Sequence, residues 1–137
     1  MKVLGVLTIV LLTACAPEPL RIPAAEAQLM LDRRSELGID AQQAGVVQSM
    51  LHDTEERQET LDRHLDDDGD ELWRLLAKSR HVDSPALWAQ AGLVHQLRFE
   101  RLFTVAALRE QTRKQLTDPQ RARFDALRRR LVFHGGF

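Results

Sequence analysis

Few residues of this 137-residue chain have chemistry to offer, and their spacing narrows what that chemistry is. A single cysteine, Cys15, excludes an intramolecular disulfide and a thiolate zinc cage, because either needs more than one thiol. His64 with Asp67 or Asp68, and His52 with Glu56, stand about one helical turn apart and offer a divalent ion two ligands, a pattern that solvated helices also produce by chance. His95 reads as a histidine at the edge of an apolar stripe. The acidic run around Gly69 does not make an EF-hand: with Gly69 at the sixth loop position, His64 and Leu75 fall at the two end-ligand positions, and neither fits. No phosphate-cradling glycine loop, zinc-protease helix or serine elbow occurs, and the carboxylates nowhere single out an acid and a base. The chain is therefore not expected to be an enzyme, and no cofactor is expected, a divalent metal being the weak candidate.

The more informative groups are aromatic and cationic. Trp88, Phe99, Phe103 and Ala106 form a band about 100 to 160° around a helix from the apolar stripe of Leu87, Ala91, Val94, Leu97, Leu102, Val105 and Leu108. Arg98 and Arg101 lie within that stripe. Together with Trp88, Phe99 and Phe103 they offer a surface both apolar and cationic, suited to unfolded chains because apolar contact and long-range charge demand no single sequence. The same aromatics equally suit the core of a dimer. Charge is segregated: Asp53 to Glu71 holds ten acids against Arg57 and Arg63, whereas Arg98 to Arg130 holds ten basic residues against four acids. Such faces either pair within the fold or are solvated.

The elements that must carry these groups are helical. Leu, Ala, Arg, Gln, Glu and Asp dominate, aromatics are 5% and tyrosine is absent, a composition that favours helices over strands. A first helix is expected over Ala24 to Leu37, stopped by Gly38. Asp40 with Gln43 makes a capping box that opens a long helix to about Lys78, with a bend near Gly69 where glycine is disfavoured. Val47, Leu51, Thr54, Gln58, Leu61, Leu65, Asp68, Leu72 and Leu75 alternate by fours and threes as an interrupted coiled-coil seam. Ser84 and Pro85 open a third helix to about Gln115, and Thr117 with Gln120 repeats the capping box before a last helix over Gln120 to Val132. The expected fold is all-α: a long antiparallel helical hairpin with short flanking helices.

The start of the chain reads differently. Lys2 precedes an apolar run, Val3 to Leu12, that is too short to span a bilayer but suits a secretory leader. It ends in Leu12-Thr13-Ala14-Cys15, which resembles the bacterial lipobox. The expected organisation is a leader over 1–14, a lipidated Cys15 with a proline-rich tether over 15–23, and a helical domain over 24–137. Ala16, where an aspartate would resemble the inner-membrane retention signal, suggests the periplasmic leaflet of the outer membrane. Net charge is -1 for the whole chain, which gives no bulk attraction to nucleic acid.

Leu116-Thr117-Asp118-Pro119-Gln120 matches the LTxxQ motif of the Spy/CpxP family of periplasmic helical proteins, and Ile39-Asp40-Ala41-Gln42-Gln43 resembles a degenerate first copy. The resemblance runs from about Ala24 to Leu131. It implies a cradle-like homodimer and an ATP-independent chaperone or envelope-stress protein that binds unfolded or partly folded envelope proteins. Related zinc, nickel and copper sensors or resistance proteins supply an alternative. The metal-sensing relatives carry a His and a Met a turn apart before the second motif, whereas the matching positions here are Leu108 and Thr112, which cannot ligate in their place. The chain also departs from the family in its lipobox and in the Ile39 and Asp40 of its first motif, which can still staple and cap the helix.

Overall fold

A computed structural model of the chain describes residues 21–79 and 84–133, with side chains described over 24–79 and 84–131. The expected leader, Cys15 and most of the tether lie outside these residues, as do His81 and His134. Among the described residues the chain forms five helices and no strand: α1 (Arg21–Asp32), α2 (Arg34–Leu37), α3 (Ala41–Lys78), α4 (Pro85–Lys114) and α5 (Asp118–Phe133). No described helix is long and apolar enough to cross a membrane.

Local chemistry sets most boundaries. Gly38 adopts φ 70°, the left-handed conformation that only glycine takes without strain, and its N–H and that of Ile39 bond back to Ser35 and Arg34. At Asp40 both arms of the capping box are made: Asp40 Oδ1 accepts from the Gln43 N–H at 2.7 Å and Gln43 Oε1 accepts from the Asp40 N–H at 3.1 Å. Pro85 opens α4 in the first turn, where its missing N–H is no loss.

Two expectations are corrected. The first helix is not continuous to Leu37: it starts at Arg21, with Pro23 tolerated in its first turn, and breaks at Arg33 before the single turn of α2. As expected, the long helix runs to Lys78, and it is unbroken at Gly69. Leu102 is not part of the buried stripe; it is 49% exposed and belongs with the aromatic band.

α3 and α4 pack along their length as an antiparallel hairpin, with Asp68 against Gln90 and Asp62 against Arg101. α1 lies in the groove between them at the end where α3 begins and α4 ends, and it touches both. The core is concentrated at that end. Met30, Leu37, Ile39, Ala44, Leu116, Phe124 and Leu127 form one cluster, and Ala27, Val47, Leu51 and Leu108 form its neighbour. Towards the other end the hairpin is held by a seam that includes Leu61, Leu87, Val94 and Leu97.

Two ion-pair systems tie the short helices to this core. Glu26 on α1 is 1% exposed, and Arg109 Nε of α4 and Arg128 Nη1 of α5 each stand 3.1 Å from one of its carboxylate oxygens, as ion pairs without hydrogen-bond alignment. A buried charge is tolerated only when it is paired, so Glu26 fixes α1 against both later helices. Arg113 of α4 grips Asp125 of α5 through two parallel hydrogen bonds of 2.8 and 2.9 Å, with its guanidinium 6.0 Å from the centre of the Phe124 ring.

Candidate functional site

The two LTxxQ-like segments meet in space. Gln43 lies on the first turn of α3 and Gln120 on the first turn of α5, each placed by the cap that precedes it. Gln43 Nε2 donates to the Gln115 carbonyl (2.7 Å) and to Gln120 Oε1 (3.0 Å), while its Oε1 accepts from the Asp40 N–H (3.1 Å) and from Gln120 Nε2 (3.0 Å). Gln120 makes the counterpart set. Its Nε2 donates to the Gly38 carbonyl (2.6 Å) and to Gln43 Oε1, and its Oε1 accepts from the Thr117 N–H (2.8 Å) and from Gln43 Nε2.

Every donor and acceptor site of both amides is used, the condition under which a buried polar pair stabilises. The arrangement has an approximate two-fold relation: cap Asp40 with cap Thr117, Ile39 with Leu116, and the carbonyl before each motif bonded to the glutamine of the other. Ile39 and Leu116 are both buried in the larger core cluster. The motif is thus an amide clasp that closes one end of the hairpin, and its chemistry is structural.

Among the described residues the large apolar groups left exposed lie beyond α1, apart from Leu93, 41% exposed on the side of Glu100. Trp88 is 59% exposed, Phe99 63% and Phe103 65%, with Leu102 beside them. At 100° per residue these four occupy an arc of about 100° on α4, over an axial length of about 22 Å. Trp73 of α3, 61% exposed, adds a fifth large apolar group. Sequence reasoning passed over it. The signal was its position about 120° from Leu61, off the seam of α3.

Helical phase fixes the side on which these groups emerge. In an antiparallel pair, residues displaced from the seam in the same rotational sense leave on the same side of the pair. Trp73 on α3 and Trp88, Phe99 and Leu102 on α4 share one sense; Arg57 and Glu100 share the other and form an ion pair with each other on the opposite side. Ala44, Val47 and Leu51, which receive α1, share the sense of Trp73. The aromatic face is therefore the continuation of the groove whose end α1 fills.

The cations are arranged differently from the expected pool of positive charge. Arg101 Nε stands 2.7 Å from Asp62 Oδ1, so this cation is committed to the hairpin itself, whereas Arg98 is exposed. On α3, Glu55, Glu59, Asp66 and Asp70 are exposed with no ion-pair partner among the described residues.

The candidate metal ligands are spread out. His64 and Asp67 are exposed, and Asp68 accepts hydrogen bonds from Gln90 Nε2 at both its carboxylate and its backbone carbonyl, each 3.0 Å. His52 Nε2 lies 3.5 Å from Glu56, with both side chains about 70% exposed. Among the described residues no group of three or more His, Cys, Asp or Glu is placed to hold a metal ion.

Comparison with known protein families, curated proteins and solved structures finds nothing that matches this chain.

Proposed function

We propose that this chain is a periplasmic, lipid-anchored helical protein of the Spy/CpxP type that binds unfolded or partly folded envelope polypeptides without ATP. The observation that carries the reading is the uncovered aromatic face of Trp73, Trp88, Phe99, Leu102 and Phe103. Isolated exposed apolar residues are ordinary, but five large apolar groups, four of them aromatic, standing exposed along one hairpin are the surface feature that marks contact with another polypeptide. Aromatic side chains contribute much area for little lost rotamer entropy, which suits a site that must accept many sequences. The Cys15 context and the paired LTxxQ-like segments support the location and the kinship. Homodimerisation through part of the same face belongs to this reading.

The test is suppression of aggregation. A chemically denatured client diluted into buffer without nucleotide should aggregate more slowly with a stoichiometric amount of the protein, followed by light scattering. Replacement of Trp73, Trp88, Phe99 and Phe103 by serine should remove the effect while leaving helical circular dichroism unchanged. Unimpeded aggregation with the wild-type protein, or full protection by the serine variant, would refute the proposal.

A further inference from the structure

The clients' chemistry can be read from the charge around the aromatic face, an inference that rests on the chaperone reading above. From Leu51 to Ala106 the chain carries twelve Asp and Glu against seven Arg and Lys, a net charge of -5, whereas residues 107–133 carry eight basic residues against three acidic, a net charge of +5. The fold separates these two regions. The basic one is at the clasped end, where Arg109, Arg113 and Arg128 are already paired with Glu26 and Asp125. The acidic one is the open hairpin that bears the aromatics.

The acids are moreover on the aromatic side. Glu55, Glu59 and Asp66 lie about 120 to 160° from Leu61, in the same rotational sense as Trp73, and Asp70 lies just beyond them. All four are exposed and unpaired among the described residues. The cations of that side are Arg98, Arg101 and, about 20° past Asp70, the exposed Arg63; Arg101 is neutralised by Asp62, which leaves four carboxylates against two cations. A polypeptide lying along Trp88, Phe99 and Phe103 thus runs within about a Debye length, ~10 Å, of a row of carboxylates.

We infer that the preferred occupant of this face is an unfolded segment that is net cationic and rich in apolar or aromatic residues. Apolar contact with the aromatic band supplies affinity, and the carboxylate row selects the sign of the client's charge and repels acidic segments. The sequence alone pointed towards the reverse, a cationic face. The difference arises because Arg101 turns into the hairpin and the acidic helix shares the aromatic side.

Three unstructured peptides of equal length and identical Phe and Leu content, with spacer positions filled by Lys, Glu or Gln, would test this against the full chain by fluorescence anisotropy. The expected result is that the Lys peptide binds at least about tenfold more tightly than the Glu peptide at low ionic strength, with the ratio falling to about twofold in 0.5 M salt. The fourfold variant Glu55→Gln, Glu59→Gln, Asp66→Asn, Asp70→Asn should lower the low-salt ratio below about threefold while leaving the Gln peptide's affinity unchanged. Equal or tighter binding of the Glu peptide, or a ratio that survives in the fourfold variant, overturns the inference.

The Gln peptide separates charge selection from client binding itself. If it binds and the Lys and Glu peptides match it, the charge selection is wrong and the chaperone reading stands. If none of the three binds and aggregation is not slowed, the chaperone reading falls and this inference with it. A dimer, detected by sedimentation, that excludes the Gln peptide and dissociates in Trp73→Ser with Trp88→Ser would make a second copy the occupant and overturn the inference.

Discussion

The amide clasp allows a sharp energetic test. Gln120→Met conserves shape and removes four hydrogen-bonding contacts, leaving the Gly38 carbonyl, the Thr117 N–H and one donor and one acceptor of Gln43 without their partner. Gln120 is 8% exposed, so water restores little of this. At about 1 kcal/mol for each net hydrogen bond, with some of the stranded groups rehydrating at the edge, the loss is about 3 kcal/mol. For a domain of this size that is a fall of about 12 °C in Tm. Gln43 is only half-buried, and Gln43→Met should cost about 2 kcal/mol. The two contacts the amides make with each other are lost in either single variant, so the double variant should be less destabilised than the sum by about 1 to 2 kcal/mol. Urea melts of the four proteins complete the cycle. Additivity within about 0.5 kcal/mol would refute the clasp as a coupled unit.

Three further outcomes follow from the same structure. Gly69→Ala should raise stability by about 0.5 to 1 kcal/mol in urea melts, because α3 is helical there and an added Cβ meets nothing within 4 Å. Gly38→Ala should lower it by about 1 to 2 kcal/mol, since φ is +70° and the new Cβ would stand 3.2 Å from Arg123 Nη1; an unchanged melt would refute the left-handed cap. The hydrogen-bonded Arg113 guanidinium holds the Asp125 carboxyl below the usual aspartate range. A depressed folded-state pKa contributes stability that is complete at neutral pH and lost as pH falls through the folded value. Asp125→Asn should therefore lower stability at pH 7 by at most about 1 kcal/mol, this pair being partly exposed, and the gap to wild type should close as the pH falls below the ordinary aspartate value.

The sequence disclosed what is decided within a few residues. The capping boxes at Asp40 and Thr117, the glycine stop at Gly38 and the proline start at Pro85 each depend on neighbours one turn away, and each stands where local chemistry puts it. What it hid depends on partners far along the chain. Glu26 looks like any acid in an alanine-rich helix, and only the approach of Arg109 and Arg128 makes it the buried anchor of α1. The break at Arg33 has no glycine or proline to announce it. The meeting of Gln43 with Gln120 is a tertiary event. The aromatic band was visible as periodicity, but its charge setting was not, because Arg101 lies on the sequence beside Phe99 and in space against Asp62.

The partners in the clasp are 77 residues apart, and the second of them lies in α5. A chain emerging from its N-terminus has both long helices, α3 and α4, before Gln120 exists to close the clasp. Until then Ile39, Leu37 and Met30 have no Phe124 to cover them. α5 is thus the bolt of the hairpin: a chain cut before Gln120 would hold its long arms but leave Met30, Leu37 and Ile39 without their cover.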